Sequence, residues 1–97
     1  MPPLVNDDDV IERLRTAANE TIGADQIIDV KNPSLGSEDF SYMFPAYGPG
    51  CQFSLGTRNE EDPDTMHGIH NAKNVFDEGC LPTGVAVLVQ FARDFLK

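Results

Sequence analysis

The spacing of hydrophobic and polar positions predicts a helix near the start of the chain. From Asp8 to Ile22, apolar side chains recur every three or four residues, which is typical of a helix with one buried face. Asn6 and the aspartates that follow it supply a cap and first-turn negative charge, so the helix is expected to begin near Asp8 or Asp9. Gly23 is expected to cap its C-terminus. The predicted buried face comprises Val10, Leu14, Ala17, Ala18 and Thr21, widened by Ile11 and Ile22.

Two short segments have the composition and spacing of strands. Residues 26–30 are rich in β-branched side chains and end just before Asn32 and Pro33, which favour a turn. Residues 51–56 alternate apolar and polar positions with a period of two, and Gly56 ends the alternation. Because a helix precedes the first of these segments, the order predicts an α/β unit.

The residues between the two predicted strands favour a short second helix. Residues 34–40 contain a capping serine and two acids that suit the first turn of a helix. This helix is expected to extend through about Met43 or Phe44 and to stop at Pro45, because proline disrupts a helix interior. Residues 57–74 are polar, lack periodicity and contain both histidines, so they predict a long loop of the kind that is often functional.

A third helix is predicted to open at residues 81–84 and to run to the end of the sequence. Its apolar positions again recur every three or four residues, which indicates one buried stripe. That stripe comprises Val85, Leu88, Val89, Ala92, Phe95 and Leu96. The whole order of elements predicts an α/β layer in which the first and last helices pack on a small sheet.

Composition and charge narrow the classes of partner. The 97 residues are 40% hydrophobic and 24% charged, which is ordinary for one small globular unit. The net charge of −9 repels phosphate backbones and anionic lipid headgroups, so neither nucleic acid nor a membrane is an expected partner. The acidic runs at residues 7–9 and 60–64 lack the spacing of a calcium-binding loop and are expected to be solvated.

Cysteine usage and hydropathy indicate a soluble protein in a reducing compartment. Cys51 and Cys80 are too few for a disulfide framework, and we expect two separate, partly buried thiols, although spacing alone also allows a bridge. The sequence shows no apolar stretch near 18 residues and no secretory leader pattern. A cytoplasmic location is therefore expected.

Two histidines in the predicted loop are the candidates for chemistry. His67 and His70 lie three residues apart with a glycine between them, and neutral imidazole is a common transition-metal ligand. Spacing alone favours a surface or packing role over ligation, because a short His-x-x-His sequence occurs by chance and a zinc site needs three or four ligands. A metal-ligand role for either histidine therefore needs support from other features of the sequence.

Several segments in a fixed order supply those features. In that order, the chain resembles the C-terminal stretch of the metal-dependent amidohydrolases that include hippurate hydrolase, N-acyl-amino-acid amidohydrolase and plant auxin-conjugate hydrolase. The segments are Leu35-Gly36-Ser37-Glu38-Asp39-Phe40-Ser41, Gly48-Pro49-Gly50, Phe53-Ser54-Leu55-Gly56, Ile69-His70-Asn71-Ala72 and Phe76-Asp77-Glu78-Gly79-Cys80-Leu81-Pro82. The resemblance covers nearly the whole chain, since residues 2–6 match the return from an inserted lid domain to the catalytic domain.

The resemblance implies both a fold and an activity. Residues 1–97 are expected to be a single unit, the C-terminal portion of an amidohydrolase catalytic domain. The expected fold class is α/β, a fragment of a zinc-peptidase-like mixed sheet flanked by helices. The implied reaction is hydrolysis of the amide bond of N-acyl amino acids or small peptides, as in aminoacylase-type metallopeptidases.

The resemblance also assigns roles to individual residues. His70 matches a ligand to one of two divalent metal ions, zinc or manganese. Glu38, Asp39 and Asn71 match positions that bind substrate or support the ligand loop, although helix capping explains the two acids equally well. Ala72 departs from the family pattern, which has proline there, and this change could loosen the ligand loop. The other ligands, the general base and a catalytic histidine match segments outside this sequence, so no catalytic residue is assigned here.

Two further expectations concern the chain by itself. The chain carries one ligand of a two-ion centre, so the chain alone is expected to be inactive. Two divalent metal ions are expected in the intact enzyme, and the isolated chain need not bind either of them. The alternative is a non-catalytic α/β binding or interaction module, and an accidental likeness remains a third interpretation. A piece of a larger sheet exposes apolar surface, so the isolated chain is also expected to self-associate.

Overall fold

A computed structural model describes residues 3–30, 39–67 and 71–97 of the chain. Within these ranges, the regular structure consists of three α-helices: α1 (Asp8–Thr21), α2 (Met43–Tyr47) and α3 (Cys80–Phe95). Three short 3-10 turns accompany them, at Ala24–Gln26, Asp39–Tyr42 and Pro63–Met66. Helix α3 pairs with α1, and this pair forms the centre of the described structure.

Helix α1 begins where the sequence predicts it. The carboxylate of Asp7 caps the helix by accepting a hydrogen bond from the backbone N–H of Val10 at 3.1 Å. Asp8 and Asp9 add negative charge to the first turn, and this charge stabilises the helix by interacting with the positive end of its dipole. At the other end, Gly23 adopts a φ of +88° and donates its N–H to the Ala18 carbonyl at 3.3 Å, so the predicted glycine cap is confirmed.

The prediction that Pro45 stops the second helix is wrong. Helix α2 runs through Pro45 to Tyr47 and follows directly on the 3-10 turn at 39–42. Pro45 is the third residue of α2, where a backbone N–H has no partner within the helix, so the missing N–H of proline loses nothing there. The helix ends instead at Gly48, which adopts a φ of +103° and donates its N–H to the Phe44 carbonyl at 2.9 Å.

The predicted strands and sheet are also wrong for the residues that the structure describes. Residues 27–30 and 51–56 have no regular secondary structure, and the only β-bridge in the described ranges joins Asn59 and Asp62. A strand requires a neighbour that accepts and donates along its backbone, and neither segment pairs with a strand in the part of the chain that the structure describes. The β-branched side chains of Ile28 and Val30 are 86% and 83% exposed. The described fold is therefore helical, and the expected α/β class with a mixed sheet flanked by helices is contradicted.

The core lies between α1 and α3. Leu14, Ala17 and Ala18 of α1 are buried, as the spacing of that helix predicts, and Val87 of α3 is 5% exposed. Ile22, Ile27, Cys51 and Phe91 pack around this centre. Small side chains on α1 allow a close approach of the two helices, and the resulting core is modest in size for a unit of this length.

Helix α3 turns a different face to the core than its apolar spacing predicts. Val87 and Phe91 pack in the core beside α1, whereas the residues of the predicted buried stripe are exposed; of these, Phe95 touches the edge of α1, where the Arg13 guanidinium lies 5.5 Å from its ring centroid. The stripe is exposed at Val85, Leu88, Val89, Ala92, Phe95 and Leu96. Because α3 is apolar on two sides, α1 can cover only one of them. The prediction of a buried stripe is therefore wrong for this chain, and the apolar stripe is a surface feature.

Two polar contacts join distant segments to α1. The guanidinium of Arg15 donates to both carboxylate oxygens of Asp29, at 2.7 and 3.4 Å, and ties residues 27–30 to the helix. The side-chain amide of Asn6 bonds to the backbone of Gln52 and ties the chain before α1 to residues 51–56. Among the described residues, no helix has both the length and the apolar character needed to cross a membrane.

Candidate functional site

The candidate site is the loop that contains both histidines, and its base is closed by two backbone hydrogen bonds. The N–H of Val75 donates to the carbonyl of Asp64 at 3.3 Å, and the N–H of Asp77 donates to the carbonyl of Thr57 at 3.0 Å. The chain therefore leaves and re-enters this base at neighbouring points. We call residues 57–77 the histidine loop; the structure describes it except at 68–70.

The first half of the histidine loop is a compact turn built around Thr65. Asp62 caps the 3-10 turn at 63–66 by accepting the N–H of Asp64 at 3.1 Å, and Pro63 occupies the first position, where its fixed φ suits a helical start. Asn59 accepts the N–H of Glu61 at 3.0 Å through its side chain. Such side-chain-to-backbone bonds specify turns locally, so this part of the loop is determined by its own sequence.

Thr65 is buried, with 2% exposure, and its hydroxyl both donates and accepts hydrogen bonds. The Oγ1 atom accepts the N–H of Asn59 at 2.8 Å and lies 2.8 Å from the carbonyl of Asp62 and 3.0 Å from that of Asn59. A hydroxyl has one proton, which these two carbonyls share, and one of its lone pairs accepts the Asn59 N–H. The side chain therefore fastens residues 59–66 into one unit, which we call the Thr65 turn.

The second half of the histidine loop begins at Asn71. Its side-chain Oδ1 accepts the N–H of Lys73 at 2.8 Å, and its carbonyl accepts the N–H of Asn74 at 3.0 Å. Asn71 itself is exposed. These bonds form a turn that brings the chain back to Val75 and the base of the loop.

The structure places the other predicted site residues as follows. His70 and Glu38 lie outside the described residues, so their predicted roles stay predictions. Asp39 is exposed at the start of the 3-10 turn at 39–42. Asp39 and Asn71 are each on the surface, and their predicted roles beside substrate also stay predictions.

His67 lies half-buried at the end of the Thr65 turn. Its Nε2 atom is 3.9 Å from the Asp64 carboxylate, a contact that becomes an ion pair only when the imidazole is protonated. Within the ranges 3–30, 39–67 and 71–97, no three His, Cys, Asp or Glu residues lie together in a way that could hold a metal ion.

A surface hollow occurs elsewhere, beside the start of α1. Its lining includes no residue of the histidine loop. The hollow is lined by Val5, Asn6, Asp7, Asp8, Phe44, Gly48, Pro49 and Gly50. Gly50 approaches the ring of Phe44 so closely that an added Cβ would lie 2.7 Å from it.

The two cysteines are free and half-buried, which confirms the prediction of separate thiols. Burial raises the pKa of the Cys51 thiol, and the negative charge of Asp7 raises it further. A raised pKa keeps the thiol protonated and weakens it as a nucleophile. Cys51 therefore serves as a packing residue beside the α1–α3 core.

Sequence reasoning missed the role of Thr65. Residues 57–74 have no hydrophobic period, and the prediction of a long loop left the Thr65 turn inside it undescribed. The available signal was Asp62 followed by Pro63, since a capping side chain before proline is a start signal for a helical turn. Three residues later, Thr65 supplies a hydroxyl that can return to the cap.

Comparison with known proteins identifies the class to which this helical chain and its histidine loop belong. The model of peptidase family M20/M25/M40 matches residues 1–94. The chain therefore belongs to that family.

Individual relatives carry hydrolase names. A probable hydrolase of Synechocystis is 33% identical over 88 residues, which cover 91% of this chain and 22% of that protein. An IAA-amino acid hydrolase of Arabidopsis thaliana is 31% identical over 97 residues, 100% of this chain and 21% of that protein. An N-acetyldiaminopimelate deacetylase of Bacillus velezensis is 38% identical over 68 residues, 68% of this chain and 16% of that protein.

The chain spans about a fifth of the length of the relatives it matches. No solved structure matches it significantly. The comparisons confirm the family resemblance that the ordered segments indicate, and they establish a hydrolase family for residues 1–94.

Proposed function

We propose that residues 1–97 are the C-terminal portion of the catalytic domain of a dinuclear-metal amidohydrolase. The enzyme hydrolyses the amide bond of N-acyl amino acids or small peptides, and His70 contributes one metal ligand. The observation that carries the proposal is the family match across residues 1–94, which includes the Ile69-His70-Asn71 segment. One relative is named as an IAA-amino acid hydrolase and another as an N-acetyldiaminopimelate deacetylase, and both names fit this substrate class.

The chemistry of the histidine loop fits a transition-metal ligand. Neutral imidazole binds zinc and manganese, and His70 lies between the two halves of a loop whose base is closed by the Asp64–Val75 hydrogen bond. Divalent metal ions, when bound, polarise the scissile carbonyl and lower the pKa of the attacking water. In this proposal, Asn71 shapes the loop beside the ligand, and Glu38 and Asp39 line the substrate cleft.

The chain alone does not turn over substrate in this proposal. A zinc site in an enzyme takes three or more protein ligands, and the resemblance assigns one of them to this chain. The remaining ligands and the general base belong to the rest of a cytoplasmic enzyme. A non-catalytic interaction module is the competing function, and it predicts that the complete protein is also inactive.

The isolated chain self-associates through the apolar stripe of α3. Val85, Leu88 and Val89 are each more than half exposed, and Leu96 near the chain end is 81% exposed. An exposed apolar surface of this kind is unusual for a monomer in water. The charge of −9 opposes association, so salt should strengthen it by screening the repulsion.

Hydrolysis assays on the complete protein that carries residues 1–97 test the proposal. The metal-free protein should release no amino acid from N-acetyl or N-aryl-acyl amino acids, and added zinc or manganese should restore the rate. The chain of residues 1–97 by itself should give no turnover at any metal concentration. Full activity of the metal-free complete protein would overturn the metal mechanism. Turnover by the isolated chain would overturn the proposal that the other metal ligands lie outside residues 1–97.

A further inference from the structure

The exposed side of α3 is a continuous apolar surface. Val87, which packs in the core, is 5% exposed, whereas the next two residues, Leu88 and Val89, are 54% and 52% exposed. Leu81, in the first turn, extends the exposed side toward the start of the helix. With 3.6 residues per turn, six exposed apolar positions fall within one arc of roughly 100°. We call these six residues the α3 face: Leu81, Val85, Leu88, Val89, Ala92 and Leu96.

Phe95 lies beside the α3 face but already has partners in its own chain. Its ring stacks on that of Phe91 with the centroids 6.2 Å apart, and the guanidinium of Arg13 lies 5.5 Å from its centroid. These contacts direct the ring toward α1, so Phe95 is not counted in the α3 face.

The apolar positions of the α3 face are symmetric along the helix. From a point midway between Leu88 and Val89, they recur at equal distances in both directions. If a second α3 lay antiparallel across this point, every residue of one face would meet an apolar residue of the other. A contact that uses the same patch on both copies is the kind that a two-fold dimer requires. The facing pairs would be Leu81 with Leu96, Val85 with Ala92, and Leu88 with Val89.

The distribution of charge also suits a second copy of this chain. Residues 79–92 contain no charged side chain although the whole chain has a net charge of −9, so two copies can bury this face without desolvating a charge. The acidic Glu78 precedes the face. Arg93 and Lys97 lie at its other end with one acid, the half-buried Asp94, so that end is net positive. Antiparallel packing therefore brings opposite charges together, whereas parallel packing brings like charges together.

We propose that the α3 face is the docking site for a second copy of the chain, with the two α3 helices antiparallel across a two-fold axis between Leu88 and Val89. The 16 residues of α3 make a contact about 24 Å long, which is small beside the roughly 800 Å² per partner of a standard interface. The dimer therefore dissociates on dilution. The inference rests on the proposed self-association of the chain, and it is independent of the proposed metal site and reaction.

Disulfide cross-linking of the 97-residue chain tests the register, in a background that carries Cys51→Ala and Cys80→Ser. Val85→Cys and Ala92→Cys face each other across the proposed axis, so an equal mixture oxidised with copper phenanthroline should form a cross-linked heterodimer, identified by its intact mass. Within such a dimer, the two copies of either position lie about 10 Å apart along the helix axes, beyond the roughly 7 Å between Cα atoms that a disulfide spans. Each variant alone should therefore cross-link several-fold less than the mixture.

A matched control measures random collision. Val30 is 83% exposed but lies outside α3, so Val30→Cys mixed with Val85→Cys should cross-link no more than either variant alone. Far-ultraviolet circular dichroism of every variant should match that of the original chain.

A second pair of variants keeps both native cysteines and applies if the cysteine-free background does not fold. Val85→Lys and Ala92→Glu each bury a charge against an apolar partner, so each alone should be monomeric in sedimentation velocity. Their mixture places the new lysine opposite the new glutamate and should regain association at the same concentration. A mixture that stays as monomeric as its components would overturn the pairing of positions 85 and 92.

The outcomes separate this inference from the proposed function. Cross-linking of each variant alone as efficient as that of the mixture would overturn the antiparallel register and leave self-association intact. A chain that stays monomeric at high concentration and high salt would overturn both the register and self-association, and would leave the α3 face to a partner other than a second copy. Neither result bears on the metal and hydrolysis assays of the complete protein.

Discussion

The side chain of Asn6 binds both backbone polar groups of Gln52. Its Oδ1 atom accepts the Gln52 N–H at 2.8 Å, and its Nδ2 atom donates to the Gln52 carbonyl at 3.2 Å. One residue further on, the N–H of Asp7 donates to the carbonyl of Gly50 at 2.9 Å. A side-chain amide thus makes the two hydrogen bonds that a neighbouring strand would make, and it holds residues 51–56 without a sheet.

Removing the amide should lower stability modestly. Asn6→Ala leaves two exposed backbone groups to water, and a hydrogen bond of this kind contributes about 0.5–1.5 kcal/mol. We therefore expect the free energy of unfolding to fall by roughly 1 kcal/mol in urea titrations. Gln52→Ala is the matched control, because the bonds use its backbone and its side chain is exposed. Equal stability of Asn6→Ala and the original chain would show that the two Asn6–Gln52 hydrogen bonds contribute nothing to the free energy of unfolding.

The cap of α1 gives a second prediction. Asp7→Ala removes the acceptor of the Val10 N–H and should destabilise the chain by about 1 kcal/mol. Asp7→Asn keeps a capping oxygen and should retain most of that stability, whereas Asp8→Ala removes only first-turn charge and should cost a few tenths of a kcal/mol. Thermal unfolding followed by circular dichroism provides the comparison. A loss in Asp8→Ala as large as that in Asp7→Ala would argue against the cap.

The pKa of Cys51 predicts slow alkylation and a pH dependence of stability. Burial, and then the charge of Asp7, raise this pKa above its ordinary value of 9.0. In a Cys80→Ser background, the rate of iodoacetamide reaction should therefore reach half its maximum above pH 9.0. Asp7→Asn should lower that midpoint in part, since burial remains.

The sign of the stability effect follows from the same shift. Because the folded-state pKa of Cys51 is raised, the thiol contributes stability that is present below the unfolded-state value and lost as the pH rises through the folded-state pKa. Urea midpoints of the Cys80→Ser variant should decline from about pH 9 upward. A reaction midpoint below pH 9.0 would contradict the buried, protonated thiol.

The apolar stripe of α3 predicts self-association that increases with salt. Replacing Val85 and Leu88 by glutamine should convert the isolated chain to a monomer in sedimentation velocity at concentrations where the original chain associates. Val30→Gln is the control, since Val30 is also exposed but lies outside α3. A monomeric original chain at high salt and high concentration would rule out association through the stripe.

Local signals made the helices predictable, and missing partners made the strands unpredictable. Asp7, Gly23 and the apolar positions of α1 act within one or two turns of chain, so their outcome is readable in the sequence. Residues 51–56 have the alternation of a strand, yet a strand exists only when another segment pairs with it. The same reasoning applies to α3, whose spacing shows that a face is apolar but not which element covers it.

The family of the chain was predictable from its sequence, whereas the turn that supports the histidine loop was not. The order of segments around Ile69-His70-Asn71 indicated the family, which the match over residues 1–94 confirms. The role of Thr65 depends on a hydroxyl reaching back six residues to Asn59, a contact that becomes visible only once the chain has folded. The wrong prediction at Pro45 has a similar cause. Whether proline ends a helix depends on its position within the helix, and Pro45 falls in the first turn of α2.

Metal content of the complete protein tests the central claim most directly. Inductively coupled plasma mass spectrometry should find two divalent ions per chain in the original protein and in His67→Ala, which changes the neighbouring histidine of the same loop. His70→Ala should lose at least one ion and, with it, hydrolysis of N-acyl amino acids. Equal metal content and equal rates in His70→Ala and His67→Ala would contradict the assignment of His70 as a ligand.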